Sequence, residues 1–220
     1  GAYGDYTDWM RLTSIEKYAQ EHKLAVVMPS ASNSFYQDMF RGSAYLTYLT
    51  EELPRYVQKL FPVSTRREDT FTAGLSMGGY GALRLAFTKP EQYCACASLS
   101  GAIDICDVYS RFKAGEMGGP FKWEDIFESG SPEGTDADIF LLIEKLKKEG
   151  RPLPRVFQTC GTEDFIYASN VSAREKLEKL GVDLTYEEHP GIHDWDYWDT
   201  HIRRVLDWLP LKNDSVKEEA

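Results

Sequence analysis

Apolar positions along this chain of 220 residues follow two patterns, short apolar runs and longer stretches at helical spacing. Runs at 24–29 (LAVVMP), 69–75 (DTFTAGL), 94–101 (CACASLSG) and 155–161 (RVFQTCG), with the more polar 183–189 (DLTYEEH), predict five strands. Between them, 14–23 (SIEKYAQEHK) predicts a helix, with Thr13 or Ser14 as cap and Glu16 in its first turn. Leu46, Leu49, Leu53, Val57 and Leu60 predict a helix over 43–60, which Pro54 should kink or break. Further helices are predicted at 78–90, 136–149 and 171–181, the last closing on Gly181, and a Trp-rich helix at 193–209. From 101 to 152 the pattern degrades into Gly, Pro, acids and scattered aromatics ahead of the 136–149 helix, which predicts a lid-like insertion over the sheet. The tail KNDSVKEEA reads as frayed.

Strands alternating with helices predict one α/β domain over 1–220, its mostly parallel sheet covered by helices on both faces. No repeat, linker or second domain interrupts it. A chain of this length buries roughly 70% of its unfolded surface, enough for one core without disulfides.

Composition narrows the partners. With 35 acidic against 25 basic residues, the formal charge of −10 offers no basic field for nucleic acid or an anionic membrane. No window approaches the roughly 18 apolar residues of a membrane span. The four cysteines (Cys94, Cys96, Cys106, Cys160) form no ligand-type pair and read as buried free thiols, which fits a reducing, cytoplasmic setting. The histidines, His22, His189, His193 and His201, show no metal-ligand spacing, so no metal is expected.

The string Gly74-Leu75-Ser76-Met77-Gly78 matches G-x-S-x-G between a predicted strand and a predicted helix. A sharp turn there would lift the Ser76 hydroxyl above the sheet and aim helix amides at a substrate carbonyl. A serine hydroxyl is a weak nucleophile until a positioned imidazole takes its proton. His193, in the loop after the fifth strand, is the candidate base. His189 ends that strand before Pro190, while His22 and His201 sit on helices. The imidazole needs a carboxylate to fix its tautomer, and Asp164, after the fourth strand, completes the chain order Ser, Asp, His. Glu163 is its adjacent and chemically competent rival. Asp194 and Asp196 read as acids favoured by a helix start.

The strings GLSMGGYGALRLAF, CGTEDFIYASN and HPGIHDWDYWDTHIRRVLDWL resemble the α/β-hydrolase esterases of the esterase D group, most of all the bacterial tributyrin-esterase branch. S-formylglutathione hydrolases, feruloyl and acetyl-carbohydrate esterases and mycolyltransferases are weaker relatives. The resemblance spans essentially the whole chain and implies a serine carboxylesterase for short acyl chains, acting on a small-molecule ester through an acyl-enzyme with no cofactor. Ser76 would be nucleophile, His193 base then acid, Asp164 the orienting carboxylate, and the Met77 and Ala2 amides the oxyanion donors. Trp9, Tyr80, Phe165 and Trp195 are candidates for a substrate pocket, with core packing as their competing explanation. Relatives often self-associate, which raises a homo-oligomer as an expectation. A non-catalytic binding module of the same fold is the alternative of a different class.

In the resembled fold a further strand lies between those at 24–29 and 69–75, and three strands precede this point. The N-terminal strands are thus expected to be missing from this chain, an upstream segment of roughly 40 to 50 residues completing the sheet.

Overall fold

Strand formation depends on finding a ladder partner as well as on an apolar run, and four of the five predicted strands find one. The computed structural model describes residues 1–211, and the tail 212–220, read above as frayed, lies outside the described residues. First come the helices α1 (Asp8–Leu12), α2 (Ile15–Glu21) and α3 (Tyr45–Thr47), the last continued by a π-helical turn (Tyr48–Glu52) and α4 (Leu53–Leu60). Strand β1 (Phe71–Leu75) leads through α5 (Met77–Thr88) to β2 (Ala95–Leu99). Helices α6 (Ile105–Lys113), α7 (Trp123–Ile126) and α8 (Ile139–Lys148) follow, then β3 (Arg155–Gly161), α9 (Tyr167–Lys179), β4 (Leu184–His189) and α10 (Trp195–Trp208). Among the described residues one parallel sheet forms in the order β1-β2-β3-β4.

Period-two alternation sends successive side chains to opposite faces of this sheet. On one face Cys96, Val156 and Cys160 pack with Leu83 and Phe87 of α5, Ile143 of α8 and Leu177 of α9. On the other, Leu75, Leu99 and Phe157 pack with Ile15 of α2 and with Trp198, Ile202 and Val205 of α10. Helices on both faces give the α/β-hydrolase-like layering that the sequence predicts.

Several expectations need correction. Residues 24–29 form no strand, and Val26 and Val27 are 41% and 46% exposed. No described strand lies beside this segment to form a ladder, and it does not pair with β1. The predicted fifth strand is therefore the fourth here. The break expected at Pro54 is a π-helical turn: the Leu53 amide reaches the Tyr48 carbonyl, and Pro54, lacking an N–H, stands in the first turn of the α-helix that follows, where no amide partner is needed. Neither Thr13 nor Ser14 caps α2 in the usual way. Thr13 Oγ1 accepts the Ile15 amide at 3.1 Å, and Asp199 of α10 accepts the Ser14 amide at 2.8 Å. Helix α10 begins at Trp195 and leaves His193 in the preceding loop, because Asp194 caps the helix by accepting the Tyr197 amide at 2.9 Å.

The stretch read as a lid-like insertion also contributes side chains to the core. Trp123, Ile126, Ile139 and Ile143 are buried with α5, while residues 116–121, with Ala102, Val108 and Arg111, border the cavity described next. Among the described residues no helix is long and apolar enough to cross a membrane.

Candidate active site

Ser76 sits between β1 and α5 with φ 53° and ψ −124°, a left-handed conformation that costs a non-glycine residue of order 1–3 kcal/mol. The strand beside it holds that conformation: the Ser76 amide donates to the Leu99 carbonyl and the Ser76 carbonyl accepts the Ala102 amide, each at 3.0 Å. The tightness of the turn explains Gly74, where a Cβ would lie 2.2 Å from the Gly78 carbonyl oxygen. Met77 is the first residue of α5, so its amide has no acceptor within the helix. Gly1 packs on the same turn, a Cβ there falling 3.7 Å from that of Ser76, and Gly1, Ala2, Ser76 and Met77 line one cavity. This places both candidate oxyanion residues beside the serine.

The loops after β3 and β4 lie side by side at the carboxyl edge of the sheet, and they bring the other two candidates to Ser76. His193 Nε2 lies 3.0 Å from Ser76 Oγ, while His193 Nδ1 lies 2.8 and 3.0 Å from the two Asp164 oxygens. The Asp164 carboxylate is buried and also accepts the Ile166 amide at 3.0 Å. Burial alone pushes its pKa upward. Hydrogen bonds from His193, from the Ile166 amide and from Ser100, with the attraction of His193, outweigh burial and hold the group below the ordinary aspartate value. The rival Glu163 points away from the ring and accepts the Gly191 amide at 2.6 Å.

The other histidines have structural partners. His22 bridges the Tyr18 carbonyl and Asp207, His189 meets Glu187, and the buried His201 bonds the Tyr197 carbonyl. Cys94, Cys96 and Cys160 are buried free thiols and Cys106 is partly exposed. Burial, with smaller contributions from nearby charges, pushes the Cys106 and Cys160 thiols up to about 12, so neither is a ready nucleophile.

A cavity of about 630 Å³ opens above Ser76, and Phe165 and Trp195 line it. Phe35, Met117 and Phe121 add apolar wall. Tyr80 does not reach the cavity. It is fully buried, its hydroxyl donating to the Ala137 carbonyl at 2.7 Å and accepting from Gln37 Nε2 at 2.8 Å, because its helical position on α5 faces the core. Nor does Trp9, which stands edge-on to Trp195 at 5.6 Å and backs that wall from behind.

Two supporting residues are not apparent from the sequence. Ser100, at φ 48° just after β2, accepts the Trp198 indole N–H at 3.2 Å, and Trp198 packs edge-on to the His193 ring at 4.9 Å. The one available signal is that Trp198 falls on the first turns of the helix following His193.

Such an arrangement can take a proton from a hydroxyl and hold the resulting imidazolium against a carboxylate. Comparison with known proteins agrees in kind. A family model described as "Putative esterase" matches residues 5–209. An acetyl esterase of Caldicellulosiruptor saccharolyticus is 32% identical over 218 residues, covering 97% of this chain and 82% of that protein. The fluorophosphonate-binding serine hydrolase F of Staphylococcus aureus superposes with a TM-score of 0.83 at 35% identity. An S-formylglutathione hydrolase of the same organism does so with 0.83 at 36%. Each alignment with these two structures covers 95% of this chain and 80% of the other.

Proposed function

Because the chain belongs to the putative esterase family and is an ester-hydrolysing enzyme, we propose that it is a serine carboxylesterase for short-chain acyl esters, of the tributyrin-esterase branch of the esterase D group. The observation that carries this reading is the continuous relay from Asp164 through His193 to Ser76, with contacts of 2.8 and 3.0 Å. The family assignment sets aside the alternative of a non-catalytic binding module.

In the first half-reaction Ser76 Oγ gives its proton to His193 Nε2 as it bonds to the ester carbonyl carbon. The carbonyl oxygen becomes an oxyanion facing the Met77 and Ala2 amides, each such donor being worth about 3 kcal/mol in the transition state. Collapse breaks the bond to the alcohol oxygen, which takes the proton from His193 Nε2 and leaves. Water then repeats the sequence on the acyl-enzyme, His193 accepting its proton and returning it to Ser76 Oγ as the acid departs. Asp164 stays ionised throughout and stabilises the imidazolium. Phe35, Met117 and Phe121 close the cavity beside Ser76 with apolar surface suited to a short acyl chain.

A fluorophosphonate probe tests the assignment directly. It should label Ser76 in the native protein and fail to label the His193→Ala variant, and Ser76→Ala should lose turnover of p-nitrophenyl butyrate by at least roughly 10³-fold with unchanged circular dichroism. Labelling at another serine would redirect the site. Esters of acetate, butyrate and octanoate in the same assay should show a fall at octanoate. S-formylglutathione and acetylated or feruloylated carbohydrates share this chemistry and differ in the acyl group, the group that leaves, or both.

A further inference from the structure

A second cavity, of about 540 Å³, adjoins the first, and Arg111 and Phe165 line both. It is a groove between α6 and α9. Asp107, Ser110 and Arg111 face it from α6 at three- and four-residue spacing, and Ser169, Ser172 and Lys176 answer from α9. Its charges are already matched. The Ser169 hydroxyl donates to Asp107 Oδ2 at 2.6 Å while accepting from Arg111 Nη1 at 3.2 Å, and Lys176 Nζ lies 2.5 Å from Asp104 Oδ2. Asp138 adds a third carboxylate against these two cations, so the groove has no surplus positive charge to attract an anion. What it offers is hydroxyl and carboxylate oxygen, with the rings of Phe140 and Phe165 as apolar walls.

We propose that this groove is the subsite for the alcohol portion of the ester, and that this alcohol is uncharged and polyhydroxylated, as in an acylated sugar. The inference rests on the serine-esterase reading. In that reaction the departing oxygen takes its proton from His193 Nε2, and Phe165 packs on the His193 ring with centroids 4.6 Å apart. The alcohol therefore leaves on the side where Phe165 opens into the groove. Sugar hydroxyls donate to the carboxylates and serines there. A thiol carrying its own carboxylates, such as glutathione, would bring negative charge toward Asp104, Asp107 and Asp138 without a free cation to meet it.

The experiment compares kcat/KM for a monoacetylated methyl glucoside with that for ethyl acetate, which is too small to reach the groove. Ser172→Trp and Ser110→Trp, both at exposed helix positions, narrow the groove from opposite walls. The glucoside to ethyl acetate ratio should fall about tenfold or more in each. An unchanged ratio in both variants would overturn the proposal, and so would a fall seen with S-formylglutathione in place of the glucoside. Ser76→Ala is measured alongside. If ethyl acetate turnover requires Ser76 while the ratio stays constant, the groove proposal fails and the serine-esterase reading stands. Turnover that survives Ser76→Ala overturns both.

Discussion

The Glu163 carboxylate accepts the Gly191 amide at 2.6 Å, and the Glu163 amide donates to the Gly191 carbonyl at 3.1 Å. This two-way contact ties the loop after β3 to the loop after β4, one residue from Asp164 and two from His193. The hydrogen bond from Gly191, aided by Thr162, holds the Glu163 pKa below the ordinary glutamate value, so the clasp carries its charge at neutral pH.

Removing the clasp should loosen the aim of His193 and leave substrate binding intact. Glu163→Ala is expected to lower kcat on the order of tenfold with KM within about twofold. Glu163→Gln, whose amide oxygen can still accept from Gly191, should recover most of the loss. Equal kcat for the alanine and wild-type proteins, or no recovery by glutamine, would show that Glu163 does not position the ring.

The turn at Ser76 leaves no room at Gly74. Gly74→Ala would drive a methyl group to 2.2 Å from the Gly78 carbonyl oxygen, where both partners are backbone. It should destabilise the protein by about 2 kcal/mol or more and reduce fluorophosphonate labelling of Ser76. Gly118→Ala, with no atom within 4 Å of the added carbon, should change stability by less than ~0.5 kcal/mol. Urea unfolding of the two variants at one temperature makes the comparison, and equal midpoints would refute it.

Asp164 gives a pH dependence of defined sign. Its folded pKa is lowered, so the unfolded chain takes up the proton first as pH falls, and the group's contribution to stability is complete above the ordinary aspartate pKa near ~3.9. That contribution is lost as pH falls through the lower folded value. The stability difference between wild type and Asp164→Asn should therefore narrow as pH falls below about 4. A gap that widens in acid would contradict the hydrogen-bonding account. At neutral pH the same variant should lose on the order of 10³–10⁴ in kcat, because the wrong imidazole tautomer would face Ser76.

Strands β1 to β4, the helices α5, α8 and α9 and the members of the Ser76 relay were legible from the chain itself, whereas α6 and α7 fell in the stretch where the apolar pattern degrades. A buried strand between turn residues and a tight G-x-S-x-G turn are local demands, written in adjacent side chains. Residues 24–29 carry as apolar a run as β1 does, yet they form no strand, because a ladder needs a partner and partners are supplied by distant residues. Tyr80 lies four residues from Ser76, and only the direction in which α5 packs sends it into the core and away from the cavity. Side by side in sequence, Glu163 and Asp164 offer the same chemistry. The loop after β3 turns Asp164 toward the His193 ring and Glu163 toward the Gly191 backbone, and that division of roles exists only once the loops after β3 and β4 meet. Local sequence thus determined which residue types stand at the carboxyl edge of the sheet. Tertiary packing decided which of them touch, because hydrogen bonds act over about 3 Å while Ser76 and His193 are 117 positions apart in the chain.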